Sequence, residues 1–288
     1  MHDSRPYEGL ALITDLDGTL LMPDKTLSPA DAAAIADFRA KGGRFSIATG
    51  RGIQATQEYI DLLQPDFPVV MYNGALVYDP QKQAPAYAAH LPAETGALLR
   101  ELMTEFPAVG TELLDFSGVY VVQDGEYERR HLAITHLQMN PRKLSDMEPA
   151  NCMKALFAGT PEDISRMMEY VKAERFSVVN FTRSHDWFLE ILPHDTSKGT
   201  ALSRIRGMLP AGTVIGASGD FDNDIAMLQE ADSCGCPADA QESVLRAVNA
   251  CGGFIGTKTC ETGFFSEWVR AFLSGQCPAG CAGGNGIE

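Results

Sequence analysis

The sequence predicts an α/β fold: a parallel sheet with helices on both faces, interrupted by a separate α+β block. Three observations predict it. Short apolar runs alternate with helical segments from Leu10 to Tyr72, and the same rhythm resumes after Ser197. Acidic, glycine-bearing strings follow those runs, at the carboxyl ends of strands where open parallel sheets place their sites. Between about Gln81 and Leu189 the rhythm gives way to a different texture. At 288 residues the chain can hold two modest domains.

Leu10 to Thr14 is a short apolar run suited to a buried strand, followed by carboxylates and a Gly18-Thr19 turn. Ser28-Pro29-Ala30-Asp31 reads as a helix start, with Ser to cap, Pro at the first helical position and Asp three residues after the cap. Ile35 and Phe38 supply that helix with an apolar face, and Gly42-Gly43 ends it. A second strand is expected over Arg44 to Ala48, with Thr49-Gly50-Arg51 as its exit and a helix over Gln54 to Leu63. Pro68 to Tyr72 reads as a third strand, closed by the Asn73-Gly74 turn signal. After the middle block come a helix from Ser197 to Leu209, a strand from Thr213 to Ala217 and a helix from Asp222 to Gln229.

In the middle block, Asp124-Gly125 lies between Val119-Tyr120-Val121-Val122 and Tyr127, a hairpin signature. Thr160-Pro161-Glu162-Asp163 caps a helix reaching about Ala173. Phe176 to Phe181 and Trp187 to Leu192 read as strands around Ser184-His185-Asp186. The tail from Ser274 is rich in Gly and small residues, and disorder is expected there. The expected division is residues 1–82 and 190–274 for the α/β unit, 83–189 for the block, and 275–288 for the tail.

A composition of 45% hydrophobic and 21% charged residues is that of a globular protein. The formal net charge of -15 argues against a nucleic-acid footprint, which needs clustered Lys and Arg. The same charge repels a phosphorylated ligand, so a phosphate site here needs a divalent cation and a local Lys. Met1-His2-Asp3-Ser4-Arg5-Pro6 lacks the apolar stretch of a signal peptide, and no run approaches a membrane span, so a cytoplasmic protein without membrane attachment is expected. Seven Cys, an odd number, fit free thiols in a reduced compartment. Cys234/Cys236 and Cys277/Cys281 lack the spacing and partners of a zinc site.

Four strings carry the chemistry: Asp15-Leu16-Asp17-Gly18-Thr19-Leu20, Ala48-Thr49-Gly50-Arg51, Thr196-Ser197-Lys198-Gly199 and Gly219-Asp220-Phe221-Asp222-Asn223-Asp224. Asp15 and Asp17 can reach one cleft at a strand's carboxyl end, Asp15 as the nucleophile that forms an aspartyl-phosphate and Asp17 as the general acid and base. Such crowded carboxylates call for a cation. Mg²⁺ suits all-oxygen ligands: Asp15, Asp17 through its backbone carbonyl, and Asp220, with Asp224 supporting the metal's waters. Thr49 and Gly50 can offer a hydroxyl and backbone N–H groups to phosphate, Lys198 a positive charge, and Asn223 a side-chain hydrogen bond. Each string alone also has a plain reading: a turn, a helix start, a surface cap, an acidic loop or a calcium site. Together and in this order they make the plain readings improbable.

The four strings resemble the motifs of the haloacid dehalogenase superfamily. Asp15-Leu16-Asp17-Gly18-Thr19-Leu20-Leu21 and Gly219-Asp220-x-x-Asn223-Asp224 with Met227-Leu228 carry the likeness most specifically. The Ala-Thr-Gly-Arg and Asn73-Gly74-Ala75 strings and the inserted block resemble the Cof-type subfamily, subclass IIB. The resemblance covers almost the whole chain. It implies a Rossmann-like core with an inserted cap that sets substrate choice, Mg²⁺ dependence, and hydrolysis of small phosphorylated metabolites such as sugar phosphates. It also places Leu16 among the phosphate contacts. An Asp at position 17 matches phosphatases and mutases, not dehalogenases. Where Cof-type members often carry Met-Gly-Asn-Ala, this chain has Cys236-Pro237-Ala238-Asp239-Ala240.

A phosphomutase and a non-catalytic phosphate-binding module are the rival readings. The intact set Asp15, Asp17, Lys198 and Asp220 counts against the second. Within the block, Tyr120, Arg183, His185, Asp186 and Trp187 are polar or aromatic candidates for substrate contact. His185 is expected as a hairpin residue and Trp187 as core.

Overall fold

The computed structural model describes residues 5–135 and 137–275, so most of the expected tail lies outside the described residues. The chain opens with β1 (Leu10–Thr14), α1 (Pro29–Ala40), β2 (Arg44–Ile47), α2 (Ile53–Leu63) and β3 (Val69–Met71), then a hairpin of β4 (Leu76–Asp79) and β5 (Ala84–Ala88). The inserted cap follows as α3 (Thr95–Glu105), β6 (Gly110–Leu114), β7 (Val119–Gln123), α4 (Glu126–Ile134), β8 (Lys154–Ala158), α5 (Pro161–Tyr170), β9 (Val179–His185) and β10 (Phe188–Pro193). The chain then returns through α6 (Lys198–Arg206), β11 (Val214–Ser218), α7 (Ile225–Glu230), β12 (Ser233–Cys236), α8 (Glu242–Ala250), β13 (Phe254–Ile255) and α9 (Phe264–Leu273).

The core sheet runs β13-β12-β11-β1-β2, all parallel. A bridge from Ala48 to Val70 continues it towards β3-β4-β5. Strand β1 is central and apolar on both faces, because helices cover both. On one side Leu12 packs with Phe38, Phe264 and Trp268; on the other Ile13 packs with Leu202, Met227 and Val244. Helix α1 starts as its residues dictate: the Ser28 hydroxyl accepts the Asp31 N–H, and Pro29 occupies the first turn. The cap is one antiparallel sheet in the order β7-β6-β8-β10-β9 with its own apolar core, including Leu99, Phe157 and Ile164. The expected edge at 189/190 falls inside β10, and the edge at 82/83 falls in the turn between β4 and β5.

The Asp124-Gly125 hairpin is corrected. Strand β7 pairs backwards with β6, through a turn in which Asp115 Oδ1 accepts the N–H groups of Ser117 and Gly118. Gly125 instead begins α4, which contains Tyr127. A Cβ at Gly125 would come within 2.6 Å of the Gly110 nitrogen, so close packing, not a tight turn, requires glycine there. Cys152, Cys236 and Cys260 carry free thiols. Among the described residues no helix is long and apolar enough to cross a membrane.

Candidate active site

The carboxyl ends of β1 and β11, the exit of β2 and the start of α6 converge beneath the cap. The Asp15 N–H donates to the Ser218 carbonyl at 2.9 Å, fixing the end of β1 against β11. Lys198, fully buried at the first position of α6, donates to Asp15 Oδ1 and to Asp224 Oδ1, each at 2.6 Å. Ser197 caps that helix by accepting the Thr200 N–H, which sets where Lys198 emerges. Asp224 turns its other oxygen to the N–H groups of Asp220 and Phe221 at 3.0 and 3.2 Å. Asp220 Oδ1 accepts the Thr19 hydroxyl at 2.7 Å.

Asp15, Asp220 and Asp224 each offer an oxygen within 4.8 Å of the others. Burial pushes the Asp15 carboxyl up to about 7, opposed by Lys198 and reinforced by Asp224 and Asp17. Asp220 is pushed well above the carboxylate range by burial and then by Asp15 and Asp224. One ammonium does not neutralise three crowded carboxylates. The buried Asn223 Oδ1 also finds no donor among the described residues. Gly18, at φ 78°, backs so closely on Asp220 that a Cβ would lie 2.4 Å from Oδ2. An all-oxygen, net-negative donor set of this kind fits a hard divalent cation.

Asp17 stands apart from that cluster. Its carboxylate is gripped by Arg51, through Nε and Nη2 at 2.7 Å each, and by Lys25 at 2.7 Å. Burial would raise its pKa, but the Arg51 and Lys25 bonds outweigh burial and hold it below the usual carboxylate range. The side chain expected to act as general acid is therefore held ionised.

The remaining expected contacts divide. Thr49 is buried, and its hydroxyl oxygen accepts the Arg51 N–H at 3.1 Å, leaving the hydroxyl hydrogen for a ligand. Gly50 gives its carbonyl to Lys154 of the cap at 2.7 Å. Asn223 spends an amide hydrogen on Asn73 Oδ1 at 2.8 Å. Leu16 sends its side chain into the core, and its carbonyl accepts the N–H groups of Leu20 and Leu21, shaping the loop that carries Asp17. Lys25, Asn73, Lys154 and Glu190 received no role from the sequence. Asn73-Gly74 was visible as a turn; the others carry no local signal.

A cavity between cap and core has Asp15, Asp17 and Asp220 on its floor and Glu112, His131, Trp187 and Phe188 among its cap residues. Trp187 is thus half-exposed on the cavity wall, not core as expected, because the β9–β10 turn reaches over the core and its ring packs on Tyr127 and His185. His185 ends β9 beside that turn, stacked near Phe221 of the core loop.

The sequence model of the haloacid dehalogenase-like hydrolase family matches residues 12–262, so the chain belongs to that family. It is 28% identical over 260 residues to the pyridoxal phosphate phosphatase YbhA of Escherichia coli, covering 86% of this chain and 93% of that one. It is 28% identical over 245 residues to the 5-amino-6-(5-phospho-D-ribitylamino)uracil phosphatase YitU of Bacillus subtilis, covering 81% and 86%. The subclass IIB sugar phosphatase BT4131 superposes with a TM-score of 0.77 over 91% of this chain and 98% of its own, at 19% identity, a likeness of fold. The chain is an enzyme of the superfamily, a phosphoric monoester hydrolase with the subclass IIB architecture.

Proposed function

We propose that the enzyme is a Mg²⁺-dependent phosphatase of small phosphorylated metabolites, with sugar phosphates the first class to try, working in the cytoplasm through an aspartyl-phosphate on Asp15. The observation that carries this reading is the buried Asp15 carboxylate, bound by Lys198 and grouped with Asp220 and Asp224 on the cavity floor. Mg²⁺, held by Asp15, Asp220 and the Asp17 backbone carbonyl with Asp224 in support, would supply the positive charge that keeps Asp15 ionised and draws in the phosphate.

The Asp15 carboxylate attacks phosphorus, an Asp15 O–P bond forms, and the bond from phosphorus to the ester oxygen breaks. Lys198 offsets the charge on Asp15, and the Thr49 hydroxyl donates to a phosphate oxygen. Asp17 delivers a proton to the departing oxygen. It then takes one from the water that attacks the aspartyl-phosphate, releasing phosphate and restoring Asp15. Before that, the grip of Arg51 and Lys25 has to loosen. A substrate dianion competes for both cations, and as they leave it Asp17 gains proton affinity and takes up from solvent the proton that it delivers.

Relatives act on pyridoxal phosphate and on a phosphoribitylamino-uracil, which supports a wide first panel. Purified protein with Mg²⁺ is assayed for phosphate release against sugar phosphates, nucleotides and pyridoxal phosphate. Turnover that stops in EDTA and returns with Mg²⁺ is expected, with little return on Ca²⁺. Full activity in metal-free buffer would refute the cation's role.

A further inference from the structure

Two charged cap residues reach through the cavity wall into the core. Lys154 of β8 and Glu190 of β10 are 3% and 1% exposed. They pair at 3.1 Å. Burying such a pair costs desolvation that its mutual attraction alone recovers poorly, so its further partners indicate its use. One is within the cap, where Glu190 Oε1 accepts the Ser184 hydroxyl of β9; the others belong to the phosphate side of the core. Lys154 Nζ donates to the Gly50 carbonyl at 2.7 Å, and Glu190 Oε2 accepts Asn73 Nδ2 at 2.6 Å.

A carboxylate only accepts, so Glu190 fixes which end of the Asn73 amide faces it. The Asn73 oxygen is thereby turned to Asn223, whose Nδ2 donates at 2.8 Å. The Asn223 oxygen is left as the free end, buried and without a donor among the described residues. Asn73 itself is held at φ 53°, with its N–H on the Thr49 carbonyl at 3.1 Å. Gly74, next to it, abuts the turn into α6: a Cβ there would lie 2.1 Å from the Ser197 carbonyl, one residue before Lys198. One hydrogen-bonded chain thus runs from the cap to Thr49-Gly50 and Asn223, and Gly74 packs it against the start of α6.

We propose that Lys154 and Glu190 are positioning residues, which fix the Gly50 carbonyl and the Asn73–Asn223 amide pair so that the phosphate-binding loops are set only when the cap is seated. The inference rests on the phosphatase reading for its effect on turnover, but not for its effect on the loops.

Glu190→Gln keeps the side-chain shape and removes the charge. Two readouts are taken: kcat and KM with 4-nitrophenyl phosphate, and amide hydrogen exchange with and without inorganic phosphate. Expected are a fall in kcat of at least about tenfold, a smaller change in KM, and faster exchange confined to residues 49–52 and 72–74. If the variant does not fold, Lys154→Met combined with Glu190→Gln removes both charges and is measured in the same way. Unchanged exchange in those segments, or faster exchange across β8 and β10 instead, would show a role in holding the cap sheet alone and overturn the proposal. Should the wild-type protein release no phosphate from any ester, the phosphatase reading falls, and exchange alone decides this one.

Discussion

Replacing Asp15 with Asn removes the proposed nucleophile, yet it is expected to stabilise the metal-free protein above neutral pH. Asp15 is 7% exposed, and its carboxyl is raised from 3.8 to about 7 by burial and by its acidic neighbours. A rise of that size corresponds to roughly 4 kcal/mol of preference for the neutral form. The folded chain therefore holds a proton that the unfolded chain has lost between about pH 4 and 7, and stability falls across that window as pH rises. Below the unfolded value both states are protonated and the term vanishes. Asparagine mimics the neutral carboxyl and can still accept from Lys198. The gap in favour of Asp15→Asn should open from about pH 4, level off above about pH 7, and reach at most roughly 4 kcal/mol. In a chain of this size that ceiling is on the order of 10 °C in Tm. The assay is thermal unfolding in EDTA from pH 4 to 8, with phosphate release measured beside it. Turnover should fall by several orders of magnitude. A variant less stable than wild type at pH 8, or a gap that ignores pH, would refute the argument, as would near wild-type turnover.

Two further outcomes follow from neighbouring contacts. Gly18→Ala forces a methyl towards Asp220 Oδ2 at a residue with φ 78°, so urea unfolding should show a loss of roughly 1–2 kcal/mol, and the rise of Tm with Mg²⁺ should weaken. Arg51→Met removes the main group that depresses Asp17; that depression adds stability above the ordinary value of 3.8 and loses it as pH falls below, so the variant should be less stable than wild type at pH 6 and approach it in acid. Equal urea midpoints for the two proteins at pH 6 would remove the electrostatic basis of that contact.

Much of the core was legible in the chain because its chemistry sits where a strand ends or a helix begins. Asp15 follows an apolar β1, Lys198 follows the Ser197 cap, and Asp220 follows β11, so local backbone rules already aim them at one place. What was missed depends on contacts between distant segments. Arg51 reaches Asp17 across 34 residues of sequence, and nothing near either predicts the grip that holds the expected acid ionised. Asp124-Gly125 has the composition of a turn, but the approach of Gly110 determines its place at a helix start. Strands β12 and β13 are short, and the first reads Ser-Cys-Gly-Cys, with little alternation to reveal it.

The cap makes the contrast sharper. Glu190 lies on a run whose sequence shows only a strand, and Lys154 on β8, which no sequence signal singled out; a charge at such a position ordinarily faces solvent. Their burial arises because the cap sheet rests on the exit of β2, a placement that no run of residues within the cap encodes. The same docking brings Trp187 to the cavity wall. On the proposed reading, substrate choice and the setting of the phosphate loops depend on how two folded units meet, whereas the nucleophile and its cation cluster depend on how single strands end. Substitutions on the cap's inner face should therefore alter which ester is turned over before they alter whether Asp15 can attack.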